Sequence, residues 1–430
     1  MKKGALTGRF VLLLFLLVLL WTGCAESELF GEGGAGETAS LEAALENPQT
    51  AVPKQEEADA QPPEETQVSG ESGEETVSFL WEGASFVSHF AFDSLTDAQK
   101  QWYRDIEKSL GAMEETVRLS QEGIEAGLDE TCIDQIFQCV LIDHPELFYV
   151  EGYTYTKYER GGSLLAIDFS GTYSMDSQSA LARKEAIEAG AAVYLSGIAA
   201  EASEYEKVKY VYETLIRNTD YDLNSVDNQN IYSVFVNHLS VCQGYAKATQ
   251  YLLNRLGVEC TLVMGTVDTG EGHAWNLVKV DGSYYYVDAT WGDASYRLES
   301  QEGVEDAHMP DINYDYLCVT TRELLRTHTL GGVVPMPECT AVEANYYVRE
   351  GALFTSYDRE QMKALFDRAA SQGKSDVTVK CSDSACFQEI LSALIEGQEI
   401  FDYLSSESGT IAYAHNEKQL SLTFWVTNEQ

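Results

Sequence analysis

The chain has 430 residues, 44% of them hydrophobic, and a formal net charge of −41. A protein this acidic repels polyanions, so the charge excludes nucleic acid and an anionic lipid surface as partners. It is compatible with a cationic substrate or with a crowded extracellular surface. Nine cysteines spread over this length without a CxxC or His-rich pattern indicate neither a zinc site nor a dense disulfide framework. Pairing of Cys381 with Cys386 stays open.

The N-terminus has the pattern of an export signal. Three basic residues precede the apolar run FVLLLFLLVLLW, which is short for a membrane span. The Gly23-Cys24 pair that follows resembles a bacterial lipobox, in which the cysteine is lipidated and becomes the mature N-terminus. We therefore expect residues 1–23 to be a signal peptide. Cys24 would anchor the protein by lipid on the extracytoplasmic face of the cell membrane, with a freely secreted protein as the alternative.

A disordered acidic linker is predicted for residues 24–75. Between residues 25 and 75, fourteen acidic residues face Lys54 as the single basic one. Such a segment buries too little apolar surface to offset its chain entropy, and its charges repel one another. It is typical of a solvated spacer that lifts a folded part off a surface.

Residues 76–175 are predicted to form a small α+β domain. The segment 95–119 has a helical pattern, with Thr96 as the cap and an apolar stripe that includes Trp102. A second helix follows, broken near Pro145, and then YTYTKY and SLLAIDF have the composition of two strands. Nothing in this part groups into a catalytic pattern.

A central domain is predicted for residues 176–338, and its most informative helix begins near Cys242. Ser240 is a candidate cap for this helix, and Gly257 is its natural end. Cys242 then lies in the first turn, where free N–H groups and the positive end of the helix dipole favour an anion. That setting promotes the thiolate, which is the nucleophilic form of cysteine.

A β-hairpin is predicted to bring a histidine and a carboxylate together. HAWNLVKV and SYYYVDAT are rich in strand-forming residues, and Asp281-Gly282 between them is a strong two-residue turn signal. If Val280 pairs with Ser283, then His273 and Asp288 become diagonal neighbours on one face of the sheet. Such neighbours lie roughly 7–8 Å apart at the backbone, within reach of an imidazole–carboxylate hydrogen bond.

The segments CQGYA, GHAWNLV and YYVDATW, in this order, resemble the transglutaminase-like cysteine-enzyme superfamily. The resemblance implies an α+β fold with a papain-like core, in which a nucleophile helix packs on an antiparallel sheet flanked by smaller α+β domains. It also implies that Cys242 is the nucleophile, His273 the general acid and base, and Asp288 the residue that orients the imidazole. Gln243 and Trp275 are candidates for an oxyanion donor or for the cleft wall.

The resemblance further implies an enzyme that acts on amide bonds of a protein or peptide, a cell-wall peptide being one candidate. Neither a cofactor nor a metal is expected, and the membrane is a partner through the lipid anchor alone. Animal transglutaminases use a tryptophan upstream of the cysteine, but no tryptophan lies between Trp102 and Trp275. This favours a peptidase-like hydrolase over a cross-linking acyltransferase. The alternative is a non-catalytic binding module at the cell surface.

A further small α+β domain is predicted for residues 339–430. Its pattern indicates a helix over 358–370, a strand at DVTVKC, a helix near 387–394 and two final strands ending in SLTFWV. These residues offer no obvious chemistry. Structural capping is favoured over substrate recruitment.

Overall fold

The computed structural model describes residues 55–58, 89–293, 312–404 and 410–427; for 55–58, 410–412 and 425–427 it describes the backbone alone. The predicted signal peptide, Cys24 and most of the acidic linker lie outside these residues and stay predictions, as do the domain boundaries. Within the described ranges, no helix is long and apolar enough to cross a membrane.

The strands form three main sheets and one short ladder, in the orders β1-β3-β4-β2, β10-β9-β8-β7-β11, β12-β13-β15-β14 and β5-β6. In chain order they are β1 Gln55–Ala58, β2 Val117–Arg118, β3 Val150–Arg160, β4 Ser163–Tyr173, β5 Asp220–Tyr221, β6 Leu239–Ser240, β7 Cys260–Val267, β8 Gly272–Val280, β9 Ser283–Val287, β10 Leu317–Val319, β11 His328–Leu330, β12 Leu353–Phe354, β13 Asp376–Cys381, β14 Thr410–Asn416 and β15 Ser421–Thr427.

Helices cover these sheets and connect them. In chain order the α-helices are α1 Phe90–Asp93, α2 Asp97–Ala112, α3 Gln121–Glu125, α4 Ile133–Asp143, α5 Ser177–Tyr194, α6 Glu204–Asn218, α7 Cys242–Arg255, α8 Ala289–Gly292, α9 Thr321–Leu324, α10 Tyr346–Arg349, α11 Arg359–Ser371 and α12 Ser384–Leu391. Short 3-10 turns occur at Glu130–Cys132, Tyr314–Tyr316 and Glu399–Asp402, and π-helical turns at Ser233–Asn237 and Ser392–Glu396.

The central five-stranded sheet is antiparallel throughout, and α7 packs against its strands β7 and β8. Buried apolar side chains of α7, including Tyr245, Leu252 and Leu253, join the largest hydrophobic core of the molecule. Asn276 on β8 fastens the two layers, because its amide donates to the carbonyl oxygen of Ala246 at 2.9 Å. The packing and this hydrogen bond therefore fix the position of α7 on the sheet.

Two expectations for the N-terminal part are wrong in detail. The helix that begins at Thr96 ends at Ala112, because Met113 adopts a left-handed conformation (φ 52°) and the chain then forms β2 at the edge of β4. Part of the linker is also ordered, since Gln55–Ala58 pairs in parallel with Tyr155–Tyr158. Without this pairing β3 would be an edge strand with unpaired backbone groups, and the extended segment Gln55–Ala58 satisfies part of them.

Residues 346–404 and 410–427 surround a second hydrophobic core, and we call them the C-terminal unit. The predicted helices and strands of this region are confirmed, and Asp358 caps α11 with hydrogen bonds to two backbone N–H groups. Cys381 and Cys386 are both buried as free thiols. Lys380 of this unit forms a buried ion pair with Asp315 of the central part at 2.9 Å.

Candidate active site

Cys242 is the first residue of α7, directly after Val241, which occupies the N-cap position. The prediction that Ser240 caps this helix is wrong. The hydroxyl of Ser240 donates instead to the carbonyl oxygen of Asn228 at 2.7 Å and contacts the Ser233 hydroxyl at 2.8 Å. Valine has no side-chain oxygen to offer to the first turn, so the positive end of the helix dipole faces the half-buried thiol of Cys242.

A close backbone approach holds the entrance to α7 in place. A Cβ atom on Gly244 would lie 1.9 Å from the Ser240 hydroxyl oxygen and 3.0 Å from the carbonyl oxygen of Asn228. The backbone N–H of Val241 also donates to that carbonyl at 3.0 Å. Glycine at position 244 is therefore what allows the loop before the nucleophile to lie against the first turn.

The hairpin register predicted from the sequence is confirmed. Val280 pairs with Ser283 across a turn in which Asp281 and Gly282 both have positive φ, and the ladder continues to Asn276. At the open end of this hairpin the predicted pair meets. His273 Nε2 lies 2.8 Å from Asp288 Oδ2.

The imidazole of His273 has two polar partners, a carboxylate and a thiol. It makes a hydrogen bond to Asp288 on one side and to the Cys242 sulfur on the other. Burial favours the neutral ring, but the charges of Asp288 and Cys242 and both hydrogen bonds outweigh it and raise the pKa of His273 to about 10. Because Asp288 holds Nε2, Nδ1 is the nitrogen left for the thiol. At neutral pH the ring is thus an imidazolium.

Asp288 is buried to 1% exposure and is nevertheless ionised. Burial would raise its pKa, but the positive charge of His273 and hydrogen bonds from two histidines hold the pKa of this carboxyl well below its usual range. Its Oδ1 accepts the backbone N–H of Trp291 at 3.1 Å, and its Oδ2 accepts from His273 and from His328 Nε2 at 3.1 Å. Both oxygens are therefore used.

Aromatic rings enclose the imidazole of His273. Trp275 stacks on it at 5.9 Å between ring centroids with an interplanar angle of 25°, and Trp291 lies 5.7 Å away on another side. Tyr316 packs edge-on against Trp291 at 5.2 Å. These rings keep bulk water from the imidazole, so its interactions with charged partners act in a medium of low polarity.

The other thiols have surroundings unlike that of Cys242. Burial raises the pKa of six further cysteines that the structure describes: Cys139, Cys260, Cys318, Cys339, Cys381 and Cys386. Cys132 is half-buried, as Cys242 is, but it lies in the N-terminal part, away from the histidine.

Residues 193–289 match the model of the transglutaminase-like superfamily, and the match includes Cys242, His273 and Asp288. This segment is transglutaminase-like. The fold class predicted from the sequence, α+β with a nucleophile helix packed on an antiparallel sheet, is confirmed.

Three proteins are similar to parts of this chain. The kyphoscoliosis peptidase of Mus musculus is 25% identical over 130 residues, which cover 26% of this chain and 20% of the peptidase. A solved transglutaminase shares 14% identity with a TM-score of 0.23, over 37% of this chain and 53% of its own. A candidate cysteine protease from Cytophaga hutchinsonii shares 13% identity with a TM-score of 0.22, over 32% and 61% respectively. The chain thus spans a fifth of the mouse relative and less than two thirds of each solved chain.

One residue of the transglutaminase-like site was missed by the sequence reasoning. His328, the first residue of β11, reaches Asp288 from the strand that pairs with β7. Trp291 packs against both imidazoles, at 5.7 Å from His273 and 4.6 Å from His328 between ring centroids. No local motif surrounds His328. Its strand, β11, pairs with β7 at one edge of the sheet and is not adjacent to either strand of the hairpin. The one available signal was a histidine in the short β-forming run THTL.

The two secondary candidates occupy different places. Gln243, the second residue of α7, is buried beside Cys242, and its role as an oxyanion donor stays a prediction. Trp275 is 1% exposed and lies behind the imidazole, so it forms the floor of the transglutaminase-like site and not an open cleft wall.

His273, Asp288 and His328 also have the residue types of a metal ligand set. The ligand atoms of His273, Asp288 and His328 lie within 4.8 Å of one another, a spacing that a metal ion would also require. Their closeness is explained by the two hydrogen bonds to Asp288 Oδ2, in which both imidazoles direct an N–H at the carboxylate. In that arrangement neither Nε2 has a lone pair to give to a metal.

Proposed function

We propose that this chain is a cysteine-nucleophile enzyme that hydrolyses amide bonds of a peptide or protein on the extracytoplasmic side of the membrane. One observation carries the proposal. The buried imidazole of His273 is held at 2.8 Å by Asp288 and makes a hydrogen bond to Cys242, which begins a helix. That arrangement keeps a thiolate and an imidazolium side by side, ready for nucleophilic attack.

The first half of the reaction follows from this pair. The Cys242 thiolate attacks the carbonyl carbon of the scissile amide, and the tetrahedral oxyanion accepts the backbone N–H of Cys242 at the helix start. His273 then transfers its Nδ1 proton to the departing amine nitrogen, and the carbon–nitrogen bond breaks. The products are a thioester on Cys242, a free amine and a neutral His273.

The second half regenerates the enzyme. Neutral His273 removes a proton from a water molecule as that water attacks the thioester carbonyl. Collapse of the second tetrahedral intermediate expels the Cys242 thiolate and releases a carboxylic acid, and the imidazolium is restored. Asp288 stabilises the imidazolium in both resting and intermediate states.

Hydrolysis is favoured over cross-linking because of where the upstream tryptophan lies. Trp102 is fully buried in α2, and its indole N–H donates to the carbonyl oxygen of Ser120 at 3.0 Å. It is thus committed to the N-terminal core and is unavailable as an oxyanion donor. No tryptophan lies between it and Trp275. In the described residues upstream of Cys242, the tryptophan donor that animal transglutaminases use therefore has no counterpart.

Location and substrate are inferred from the sequence. The basic start, the short apolar run and Gly23-Cys24 support export and lipid anchoring. The acidic linker would extend the enzyme away from the membrane surface. The net charge of −41 favours a substrate that carries positive charge, such as a lysine-containing peptide of the cell wall.

Activity-based labelling of the full chain tests this function. A peptidyl probe with a thiol-reactive acyloxymethyl ketone should label the wild type stoichiometrically at Cys242 and leave Cys242→Ala unlabelled. Cys132→Ala, which removes the other half-buried thiol of the described residues, is the matched control and should label like the wild type. A fluorescent primary amine added with peptide substrate separates hydrolysis from transfer, since transfer would attach it to the product.

The alternative, a binding module without activity, predicts a different result. Such a module would bind a cell-surface peptide equally well as wild type and as Cys242→Ala, and it would show no probe adduct at neutral pH. That outcome would overturn the proposed function.

A further inference from the structure

A buried chain of hydrogen bonds continues behind Asp288. The side chain of His328 is fully buried, and its Nε2 lies 3.1 Å from Asp288 Oδ2, the oxygen that also receives His273. One carboxylate oxygen therefore serves two imidazoles. The second imidazole has no place in the reaction steps described above.

The neighbours of His328 select its tautomer. Burial lowers the pKa of His328, and the attraction of Asp288 opposes this only in part, so the ring is neutral. A neutral imidazole carries a single N–H, and Asp288 requires it on Nε2. Nδ1 must then accept, and the Thr327 hydroxyl lies 2.9 Å from it.

The hydrogen-bond donor to the Thr327 hydroxyl oxygen is Gln419 of the C-terminal unit. Gln419 Nε2 lies 3.3 Å from the Thr327 hydroxyl oxygen and 3.1 Å from the Tyr316 hydroxyl. The Thr327 hydroxyl also lies 3.4 Å from the carbonyl oxygen of Leu324, but His328 Nδ1 is nearer at 2.9 Å. With its oxygen occupied as an acceptor, Thr327 can direct its one hydrogen to this nearer nitrogen. The orientation of the Gln419 amide is itself set, because its Oε1 faces Lys380 Nζ at 3.5 Å, and an ammonium group can only donate.

The turn that carries Gln419 is anchored firmly. Gln419 has 0% exposure, and its carbonyl oxygen accepts from the Arg326 guanidinium at 3.1 Å. Lys380 is held by Asp315, which also accepts the Ser421 hydroxyl at 2.7 Å. The chain of donors thus runs from Lys380 through Gln419, Thr327 and His328 to the carboxylate.

We propose that His328 is a positioning residue of this site, and that the C-terminal unit, through Gln419 and Thr327, holds it in the tautomer that donates to Asp288. The inference rests on the proposed function, because Asp288 is there the partner of the acting imidazole. A second N–H on the carboxylate takes up part of its negative charge and leaves less of it for His273. His273 then releases its proton more easily to the departing amine.

The groups that can titrate around the two imidazoles are few in the described part of the chain. Cys242 faces His273 from α7, Asp288 faces both rings from the end of β9, and Tyr316 packs 5.6 Å from His328. A change in the pH at which the imidazolium loses its proton therefore reports on this set.

Alkylation of Cys242 by iodoacetate at varied pH tests the role of His328. The anionic reagent is attracted by the imidazolium, so its rate should fall at alkaline pH as His273 loses its proton. In His328→Phe, which keeps a ring without the donor, we expect that fall to move up by about one pH unit, a typical effect of one hydrogen bond to a charge. His328→Gln can present an amide N–H to Asp288 and should restore the wild-type profile.

A role in packing alone predicts something else. It would give lower rates in both variants without an upward shift, or the same profile for Phe and Gln. Either result, in variants that remain folded by circular dichroism, would overturn the proposal.

Gln419→Leu tests the contribution of the C-terminal unit. In this variant, the alkaline fall in the alkylation rate should shift in the same direction as in His328→Phe. The double variant should shift no further, because both substitutions act through the same series of hydrogen bonds. Gln361→Leu is the matched control: that amide, in the same unit, donates to the Leu353 carbonyl at 2.8 Å and should leave the profile unchanged. Additive shifts, or an equal shift in Gln361→Leu, would contradict the proposed chain.

Nitrogen NMR of histidine separates the two proposals. If wild-type Cys242 shows no enhanced alkylation, the proposed function fails, whatever His328 does. The 15N shifts of the seven histidines still report the tautomer of His328 after assignment by His328→Phe. A neutral ring with its proton on Nε2 that changes in Gln419→Leu supports the chain. A proton on Nδ1, or no change, would refute it.

Discussion

Asp288 accepts the backbone N–H of Trp291 at 3.1 Å, and so caps α8, while its other oxygen holds the two imidazoles. The residue therefore fixes the local backbone and the charge of the site at once. A substitution at this position affects both, and the contrast between asparagine and alanine distinguishes them.

We expect Asp288→Asn to retain more activity than Asp288→Ala. Asparagine still offers one acceptor and can cap α8, whereas alanine leaves three donors without a partner. In a resting thiolate–imidazolium pair both ring nitrogens already carry protons, so the loss in Asp288→Asn should be smaller than the factor of about 10⁴ known for serine triads. Turnover of an amide substrate measures this, with circular dichroism as the folding control. Wild-type turnover in Asp288→Ala would refute the triad.

Cys242 should be the first thiol to react with iodoacetamide at mildly acidic pH. It lies at a helix start beside an imidazolium, while burial raises the pKa of Cys260 and Cys318. Brief labelling followed by peptide mapping locates the adduct. The informative competitor is Cys132, which is equally half-buried but lies in the 3-10 turn Glu130–Cys132 of the N-terminal part. Equal labelling of Cys132 and Cys242 would rule out a special thiolate.

Gly244→Ala should destabilise the protein by about 1–3 kcal/mol, the usual effect of adding a methyl group where there is no room. The new Cβ would overlap the Ser240 hydroxyl oxygen and press on Asn228. Because that loop leads directly into Cys242, activity should fall as well. Urea unfolding measures the change. Gly332→Ala, where a Cβ meets nothing within 4 Å, is the control and should be neutral.

The buried ammonium of Lys247 should make stability depend on pH. Burial lowers its pKa from 10.5 to about 8. Below pH 8 the lysine is charged in both folded and unfolded states, and the folded state bears the full desolvation penalty. Between pH 8 and 10.5 the folded state loses the proton first, so the free energy of unfolding should rise with pH, by about 3 kcal/mol for a shift of this size.

Lys247→Met should abolish that rise and be more stable than wild type at pH 7. The exposed Lys374→Met is the control and should keep the wild-type pH dependence. Urea unfolding at pH 7, 8, 9 and 10 gives the comparison. Equal slopes in wild type and Lys247→Met would contradict the assignment.

Lipidation of Cys24 is expected from the export signal. Globomycin, which blocks the lipoprotein signal peptidase, should cause the unprocessed chain to accumulate, and metabolic labelling with palmitate should mark the wild type. Cys24→Ser should lose the label and move from the membrane fraction to the medium. Processing that ignores globomycin would indicate an ordinary secretory signal.

Local chemistry in the sequence was enough to predict that His273 and Asp288 meet at the open end of the hairpin. Asp281-Gly282 could form one tight turn, and that turn set which residues of the two strands face each other. The start of α2 was equally local, because Thr96 and Gln99 form a capping box. The strand-forming runs, the turn residues and the helix cap were therefore sufficient to predict this part of the fold.

Contacts with residues distant in sequence explain the features of the site that could not be predicted. Ser240 resembles a helix cap, but a carbonyl from Asn228 takes its hydroxyl. His328 has no neighbouring motif, since its importance comes from a strand that pairs with β7 and from a turn near residue 419. Such partners are invisible until distant segments meet.

The separation in sequence between Cys242 and Gln419 has a consequence for protein synthesis. Cys242 leaves the ribosome long before Gln419, and the donors behind Asp288 cannot assemble until the strand that follows Gln419 has paired with β13. A nascent chain therefore holds its thiol and imidazole without their final support. The order of translation therefore delays the full support of Cys242 and His273 until Gln419 and the strand that follows it have been made.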